Sequence, residues 1–504
     1  MKYRSPTVAM SHQRAAIAAC RAKPPVPAPS DAFAYLMDMG TGKSKVVLDE
    51  WGENAMGGGP RDLLVVAPAG SYRNWFTDKG ESPEFWSEVR KHVDQALLER
   101  TVVLGWKSGM QKRVGGKAEI ENLLRAGKDK SMCRVLVVNV EALSTVEAAE
   151  DLCSEFLSQR RGHMVIDEST TIKSYRSSRT KTATRLGELA GSRRILSGLW
   201  TPKSPLDTFS QCYFLDPKIL GMRNYFLFQR KYAQLVQQEM GGRKFWQVVG
   251  YQNIEELQRR VGKYSYRVLK KDCLDLEPKN YTSRDVELTK EQRRMIDEIK
   301  LFGHARISGR DDRFVTTDMV IKQITRITQI GCGYVMDDEE RVLHEVPENR
   351  TDTMMAVLAE HEGKAIVWAP WKPCIDKIVK RLTEEYGPAS VAQWTGANKR
   401  TRPEDEMRFL NDPECRFMVA TQGAGMRGNT WTVADLTVYY ANNYDLEQRD
   451  QSEDRNHRRG QKNRVTYVDL LAAGTNDEKV VKNLRKKIDL ATMINKEGYR
   501  EWLI

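Results

Sequence analysis

The sequence predicts an α/β protein made of two doubly wound parallel-sheet domains with a helical, basic insertion between them. Three observations carry this. Short Val/Ile/Leu-rich runs recur in two groups, tens of residues apart, as strands buried on both faces of a parallel sheet do. Stretches of helical spacing alternate with the runs, in the manner of crossover helices. Between the groups, at about 216–345, the composition shifts towards Arg, Lys, Gln and aromatic residues. At 504 residues the chain has room for about three domains, expected at 1–215, 216–345 and 346–504, the last ending in a C-terminal helix.

In chain order, the stretch 23–30 (KPPVPAPS) reads as a short extended spacer. An apolar run at 32–37 and helical character at 44–51 flank a glycine-rich turn. Further strands are expected at 63–68, 135–140, 164–168 and 194–197. The middle region has helical spacing at 253–261 and 290–301. Its segment Gly241-Gly242-Arg243-Lys244-Phe245-Trp246 looks like a hairpin tip, either touching a nucleic-acid backbone or simply lying on the surface. The second group places strands at 365–369, 391–394, 417–421, 436–440 and 465–470, with a helix at 374–386.

Hydrophobic residues make up 40% and charged residues 29% of the chain, the balance of an ordinary globular protein. No apolar run is long enough to span a bilayer, and no apolar stretch follows the N-terminal MKYRSPTVAM as a secretory signal would. The eight cysteines form no CxxC pair, so reduced thiols of an intracellular protein are expected rather than zinc ligands. Lys plus Arg number 80 against 68 Asp plus Glu, a net charge of +12 that suits a polyanionic partner.

The chemistry begins at Met39-Gly40-Thr41-Gly42-Lys43-Ser44. Two glycines between a strand and a helix let backbone N–H groups point at phosphate oxygens. Lys43 is then placed to reach the β and γ phosphates, and the Ser44 hydroxyl to hold Mg²⁺. The full pattern GxxxxGK[ST] has a glycine where this chain has Met37. A phosphate loop needs a carboxylate at the end of a neighbouring strand, and Met164-Val165-Ile166-Asp167-Glu168 supplies it. Asp167 is expected to bind the metal through water and Glu168 to polarise the attacking water. Arg455 and Arg458, three apart in QSEDRNHRRGQ (451–461), would reach across an interdomain cleft as arginine fingers.

Taken as an ordered set, these motifs resemble those of superfamily 2 helicases, and among them the Swi/Snf-type DNA translocases. His12-Gln13 resembles the Q-motif, MDMGTGKS motif I, and LLVVAPAGSYRNW (63–75) motif Ia. DEST (167–170) followed by Lys173-Ser174 resembles motif II. LSG (196–198) with Pro205-Leu206-Asp207 and Gln211 resembles motif III. The segment 266–292 resembles the entry to the family's second half, continued by QITRITQIGCGYV (323–335). KAIVWAPW (364–371), ATQGAGMRGNT (420–430) and QSEDRNHRRGQ resemble motifs IV, V and VI, and 465–481 the tail. Two departures stand out. Leu199-Trp200 occupy the places where motif III has Thr-Pro, with Thr201-Pro202 following, and motif V carries Arg427 in a less glycine-rich form. The compact build is similar to proteins carried by bacteriophages.

The resemblance implies two RecA-like domains and an ATP- and Mg²⁺-using motor. It implies Gln13 at the adenine edge, Met39, Gly40, Thr41, Gly42, Lys43 and Ser44 at the nucleotide, and Ser44 with Asp167 at the metal. It also implies Lys43, Asp167, Glu168, Gln451, Arg455 and Arg458 as catalytic residues. Ser71, Arg73, Lys173, Trp371, Thr395 and Thr421 are placed on the nucleic-acid backbone. The function it implies is ATP-driven translocation along double-stranded DNA in replication, recombination or repair, by a monomer with no membrane attachment. A replication or recombination protein is the expected partner and the cytoplasm, a host's if phage-encoded, the expected location. A strand-separating DNA or RNA helicase and a nucleic-acid-binding scaffold with weak ATPase remain alternatives.

Overall fold

The computed structural model describes residues 3–22, 31–78, 86–198, 200, 204–240, 243–302, 304–306, 314–316, 320–336, 343–425, 429–442, 445–475, 477–478, 480–481 and 484. The spacer 23–30, Leu199, Thr201-Pro202, the Gly241-Gly242 tip, Arg427 and the C-terminal helix lie outside the described residues. The chain divides into two compact units, Met1–Leu274 and Asp275–Met493. The stretch 216–345, set apart by its composition, is therefore shared between them.

The first unit is built on a seven-stranded sheet. Its strands are β1 (Asp31–Met37), β2 (Asp62–Ala67), β3 (Thr101–Gly105), β4 (Cys133–Asn139), β5 (His163–Asp167) and β6 (Ser192–Ser197). After the antiparallel hairpin of β7 (Ala233–Met240) and β8 (Arg243–Tyr251) comes the last sheet strand, β9 (Ser265–Val268). The sheet order is β3-β4-β2-β5-β6-β1-β9, and every pairing is parallel. Alternation along β1 shows how both faces are covered. Ala32, Ala34 and Leu36 enter one core with Leu64, Leu136 and Ile166. Phe33, Tyr35 and Met37 enter the other with Val46, Trp51 and Trp75.

The second unit begins with β10 (Asn280–Val286) and includes two short antiparallel pairs. These are β11 (His304–Arg306) with β12 (Phe314–Thr316), and β13 (Tyr334–Met336) with β14 (Leu343–Glu345). Its main sheet adds β15 (Lys364–Trp368), β16 (Val391–Trp394), β17 (Phe417–Ala420), β18 (Ala434–Tyr439) and β19 (Thr466–Ala472). The order is β10-β19-β18-β15-β17-β16, again all parallel. Ala365 and Val367 face one core, Ile366 and Trp368 the other. Two parallel-sheet α/β domains of the RecA-like kind are thus present. Among the described residues no helix is long and apolar enough to cross a membrane.

Parallel sheets gather the loops after their strands along one edge, where ligands bind in open α/β folds. In the first unit that edge carries the turn after β1 and the acids after β5, with only β6 between the two strands.

Candidate nucleotide site

The turn leaves β1 at Met37 and enters the helix Lys43–Met56. Gly40 and Gly42 have φ of 81° and 84°, a conformation that side chains disfavour. A Cβ at Gly42 would also lie 2.1 Å from Gln13 Nε2 and would push that amide away from its place in the loop. The loop is clamped from outside. The Thr41 carbonyl accepts from Gln13 Nε2 at 3.1 Å and from His12 Nε2 at 2.9 Å, so His12 carries its proton on Nε2. Gln13 is buried, and its Oε1 accepts from the Met10 amide at 2.9 Å. The Thr41 hydroxyl donates to Asp38 O at 2.7 Å, and Asp38 Oδ2 accepts from the Lys270 amide just past β9 at 2.9 Å.

Lys43 folds back over the loop. Its Nζ donates to Met37 O at 3.0 Å and lies 3.7 Å from Glu168 Oε1. Asp167 is held on both oxygens, by Trp75 Nε1 at 3.2 Å and by the Glu168 amide at 3.0 Å. Burial, then the Glu168 charge, pushes the Asp167 carboxyl up to about 6 against the pull of Lys43 and Trp75. Glu168 itself sits at φ 49°, left-handed backbone that a non-glycine residue adopts only under constraint. Strand β5 therefore stops at Asp167, one residue short of the expected end. The surplus negative charge and the hard oxygen donors of Ser44 and Asp167 fit Mg²⁺, which binds through one or two protein oxygens, water and phosphates.

A second chain of bonds runs from the acids to motif III. Ser169 Oγ donates to Gln211 Oε1 at 2.6 Å, and Gln211 Nε2 donates to Trp200 O at 2.6 Å and Asp207 O at 3.0 Å. Gln211 and Trp200 are buried. The departure at Trp200 thus places a large ring in the core while its carbonyl keeps the link to motif II.

Ser71 and the exposed Arg73 lie in the turn after β2, and the half-buried Lys173 closes the short helix after Glu168. In the second unit, Trp371, Thr395 and Thr421 likewise follow β15, β16 and β17. The Trp371 ring meets Tyr334 edge-on at 6.2 Å. Thr395 is buried, with its amide and hydroxyl donating to Asn398 Oδ1 at 2.8 and 3.0 Å. The Thr421 carbonyl accepts from the Ala424 and Gly425 amides.

Gln451 stands in the helix Leu446–Glu453. The buried Arg455 donates to Gln451 O and Asn429 O, each at 2.8 Å, and Arg458 reaches the same Asn429 carbonyl at 3.3 Å. The structure thus brings Gln13, Gly40–Lys43, Asp167 and Glu168 together in one unit, and Gln451, Arg455 and Arg458 in the other. The motif VI helix is braced by Arg449, which bonds Glu453 at 2.7 Å and Asp469 at 2.5 Å beneath the Tyr439 ring.

Several supporting residues escape the sequence reading. Trp75 stands there only as the close of motif Ia, whereas its indole is what orients Asp167. The roles of His12 and Ser169 depend on partners far away in the chain, which no local spacing reveals. Gln422, immediately after Thr421, is buried with neither amide atom hydrogen-bonded among the described residues.

The model for the SNF2-related domain matches residues 32–340. The TATA-binding protein-associated factor mot1 of Aspergillus fumigatus is 25% identical over 390 residues, covering 67% of this chain and 20% of that protein. The DNA annealing helicase and endonuclease ZRANB3 of Mus musculus is 23% identical over 366 residues, 70% of this chain and 32% of that protein. The SWI/SNF-related regulator of chromatin subfamily A-like protein 1 of Drosophila melanogaster is 23% identical, over 71% of this chain and 44% of that protein. The chain thus spans between a fifth and less than half of these relatives. The Sulfolobus solfataricus SWI2/SNF2 ATPase core in complex with dsDNA aligns over 100% of this chain and 96% of that one, at 18% identity and a TM-score of 0.41.

Proposed function

The chain belongs to the SNF2-related family, and from that premise we propose that it is a nucleic-acid-stimulated ATPase that moves along duplex DNA. The observation that carries the reading is the meeting of Lys43 with Glu168 beside Asp167, at the carboxyl edge of one parallel sheet.

In this reading Lys43 exchanges the Met37 carbonyl for the β and γ phosphates of ATP, and the loop amides after Gly40 take the remaining phosphate oxygens. The Ser44 hydroxyl and the Asp167 carboxylate would hold Mg²⁺, which when bound would supply charge neutralisation at those oxygens. Glu168 accepts a proton from the water that attacks the γ phosphorus, as the bond to the β–γ bridging oxygen breaks and ADP leaves. Gln451, Arg455 and Arg458 are the candidates to offset charge on the phosphoryl group in flight, and the two arginines must then trade the Asn429 carbonyl for phosphate oxygens. Gln13, bound to the Thr41 carbonyl, positions the loop and reads the adenine.

Ser71, Arg73, Lys173, Trp371, Thr395 and Thr421 are proposed to hold the nucleic-acid backbone, which makes binding salt-sensitive and weakly dependent on sequence. Remodelling of replication, recombination or repair intermediates is the proposed setting. Relatives described as a DNA annealing helicase and as a chromatin regulator support it.

The test is ATP turnover at matched low salt without nucleic acid and with duplex DNA, single-stranded DNA or RNA, alongside Lys43→Ala. Duplex DNA is expected to stimulate most, with turnover lost in the variant. Stimulation by single strands or RNA alone would replace translocation with strand separation. No turnover under any condition would leave only a binding scaffold.

A further inference from the structure

Two adjoining cavities lie at the edge of the first sheet opposite the nucleotide loop. Arg161 precedes β5 and Arg193 is the second residue of β6, whereas Asp167 ends β5. Arg161 lies six positions before Asp167, about 20 Å along nearly extended chain. These cavities are therefore no part of the ATP site.

The first, of about 200 Å³, is lined by Arg161, Arg193, Lys218 and Arg223 with Glu188 and Asp216. The second, of about 460 Å³, is lined by Lys218, Arg259, Arg260 and Lys263 with Glu256. Lys218 belongs to both, so seven cations face three carboxylates around one continuous rim. Glu256 is already shared, bonded to Lys231 at 2.8 Å and Arg260 at 2.6 Å.

Three of the guanidinium groups are fixed in place by main-chain carbonyls. Arg193 donates to Phe214 O at 3.0 Å, Arg161 to Ala190 O at 3.4 Å and Arg260 to Leu220 O at 3.2 Å. Each of these carbonyl bonds occupies one N–H of five, and Arg260 gives a second to Glu256. A pre-oriented guanidinium loses little freedom on binding a phosphate, unlike a loose lysine.

We propose that these cavities form a second docking track for the backbone phosphates of duplex DNA, separate from the residues that flank the nucleotide edge. The inference rests on the proposed action on duplex DNA and adds a partner surface to it. The net charge of +12 supplies the long-range attraction, and the anchored arginines supply the local phosphate geometry. A track of this kind takes up DNA beyond the first grip, so its effect appears only on a duplex long enough to reach both.

The test compares wild type with the triple variant Arg161→Gln/Lys218→Gln/Arg260→Gln, which removes two of the anchored arginines and the lysine shared by both cavities while Lys231 still holds Glu256. A control variant removes equal charge elsewhere in the unit, at the exposed Lys117, Lys128 and Lys130. Anisotropy measures affinity against salt for duplexes of about one and about four helical turns. On the long duplex the triple variant is expected to bind more weakly, with a salt slope flatter by about 0.9 for each phosphate that it no longer neutralises. The short duplex, the control variant and ATP turnover without DNA stay as in wild type.

Equal slopes for wild type and triple variant on the long duplex would overturn the inference while leaving the proposed function standing. So would an equal loss on the short duplex, which assigns the cavities to the first grip. A pyrophosphate affinity that disappears in the triple variant, with long-duplex binding intact, would assign them to a small anion instead. Wild type that binds neither duplex would bring down both readings.

Discussion

The Asp167 carboxyl, raised to about 6 by burial and by Glu168, makes the nucleotide-free site a proton binder near neutrality. Its folded value lies above the ordinary 3.8. The proton therefore contributes stability at low pH that is lost as pH rises through about 6. With Asp167 as the proposed Mg²⁺ ligand, binding of ATP with Mg²⁺ would need the ionised carboxylate, so binding at pH 6 should expel about half a proton, falling to about a tenth at pH 7. Titration calorimetry in two buffers of different ionisation heat reads this number directly. A release that stays at zero from pH 5 to 7, or that survives Asp167→Asn, would remove Asp167 from the metal. Its neighbour carries strain. Glu168→Gly should relieve up to about 1 kcal/mol of left-handed backbone while turnover falls by about 10²–10⁴-fold. A variant that loses stability on urea unfolding would show that the backbone there is not strained.

At the scale of elements, the phosphate loop is only as fixed as the helix behind it. Glu50 on the helix Lys43–Met56 accepts from Arg194 Nε on β6 at 3.0 Å and from the Tyr35 hydroxyl on β1 at 2.8 Å. Burial alone would raise the Glu50 carboxyl, but Arg194 and His163 overcome it and hold it at about 2. The stability this gives is present above the ordinary carboxylate range and is lost as pH falls through about 2. Arg194→Leu strands a buried carboxylate and should cost about 3–5 kcal/mol. Arg194→Leu/Glu50→Leu should recover most of it, and a double variant no more stable than the single would show that unpaired charge is not the cause. The strand containing Arg194 was legible from its apolar neighbours, but its partner, 144 positions away, was not. Within the two main sheets the strands left unread are β3, β9 and β10, each at a sheet edge, and the short antiparallel pairs β11–β12 and β13–β14 are unread as well. An edge strand such as Asn280–Val286, with its exposed and half-buried residues, offers no continuous apolar run to find. Central strands, covered on both faces, announced themselves.

At the scale of the molecule, the stretch 216–345 is divided between the two compact units. The basic and aromatic stretch 216–345 marks a kind of surface, whereas folding units are set by which residues share a core. Phe228, Tyr232, Leu257 and Val261 join the core of the first sheet, and Met295, Ile299, Ile327 and Ile330 join that of the second. Each unit covers both faces of its own sheet, which is the condition for a domain that unfolds as a unit of its own. Calorimetry should then resolve two transitions rather than the single one of a small domain. Ile378, fully buried against the second sheet, provides the marker: Ile378→Ala should cost about 2–5 kcal/mol and lower one transition. ATP with Mg²⁺ should raise the other, because Lys43, Ser44 and Asp167 all belong to the first unit. One transition that both perturbations move together would mean that the two cores fold as one, and that the boundary at Leu274 is a feature of shape without thermodynamic weight.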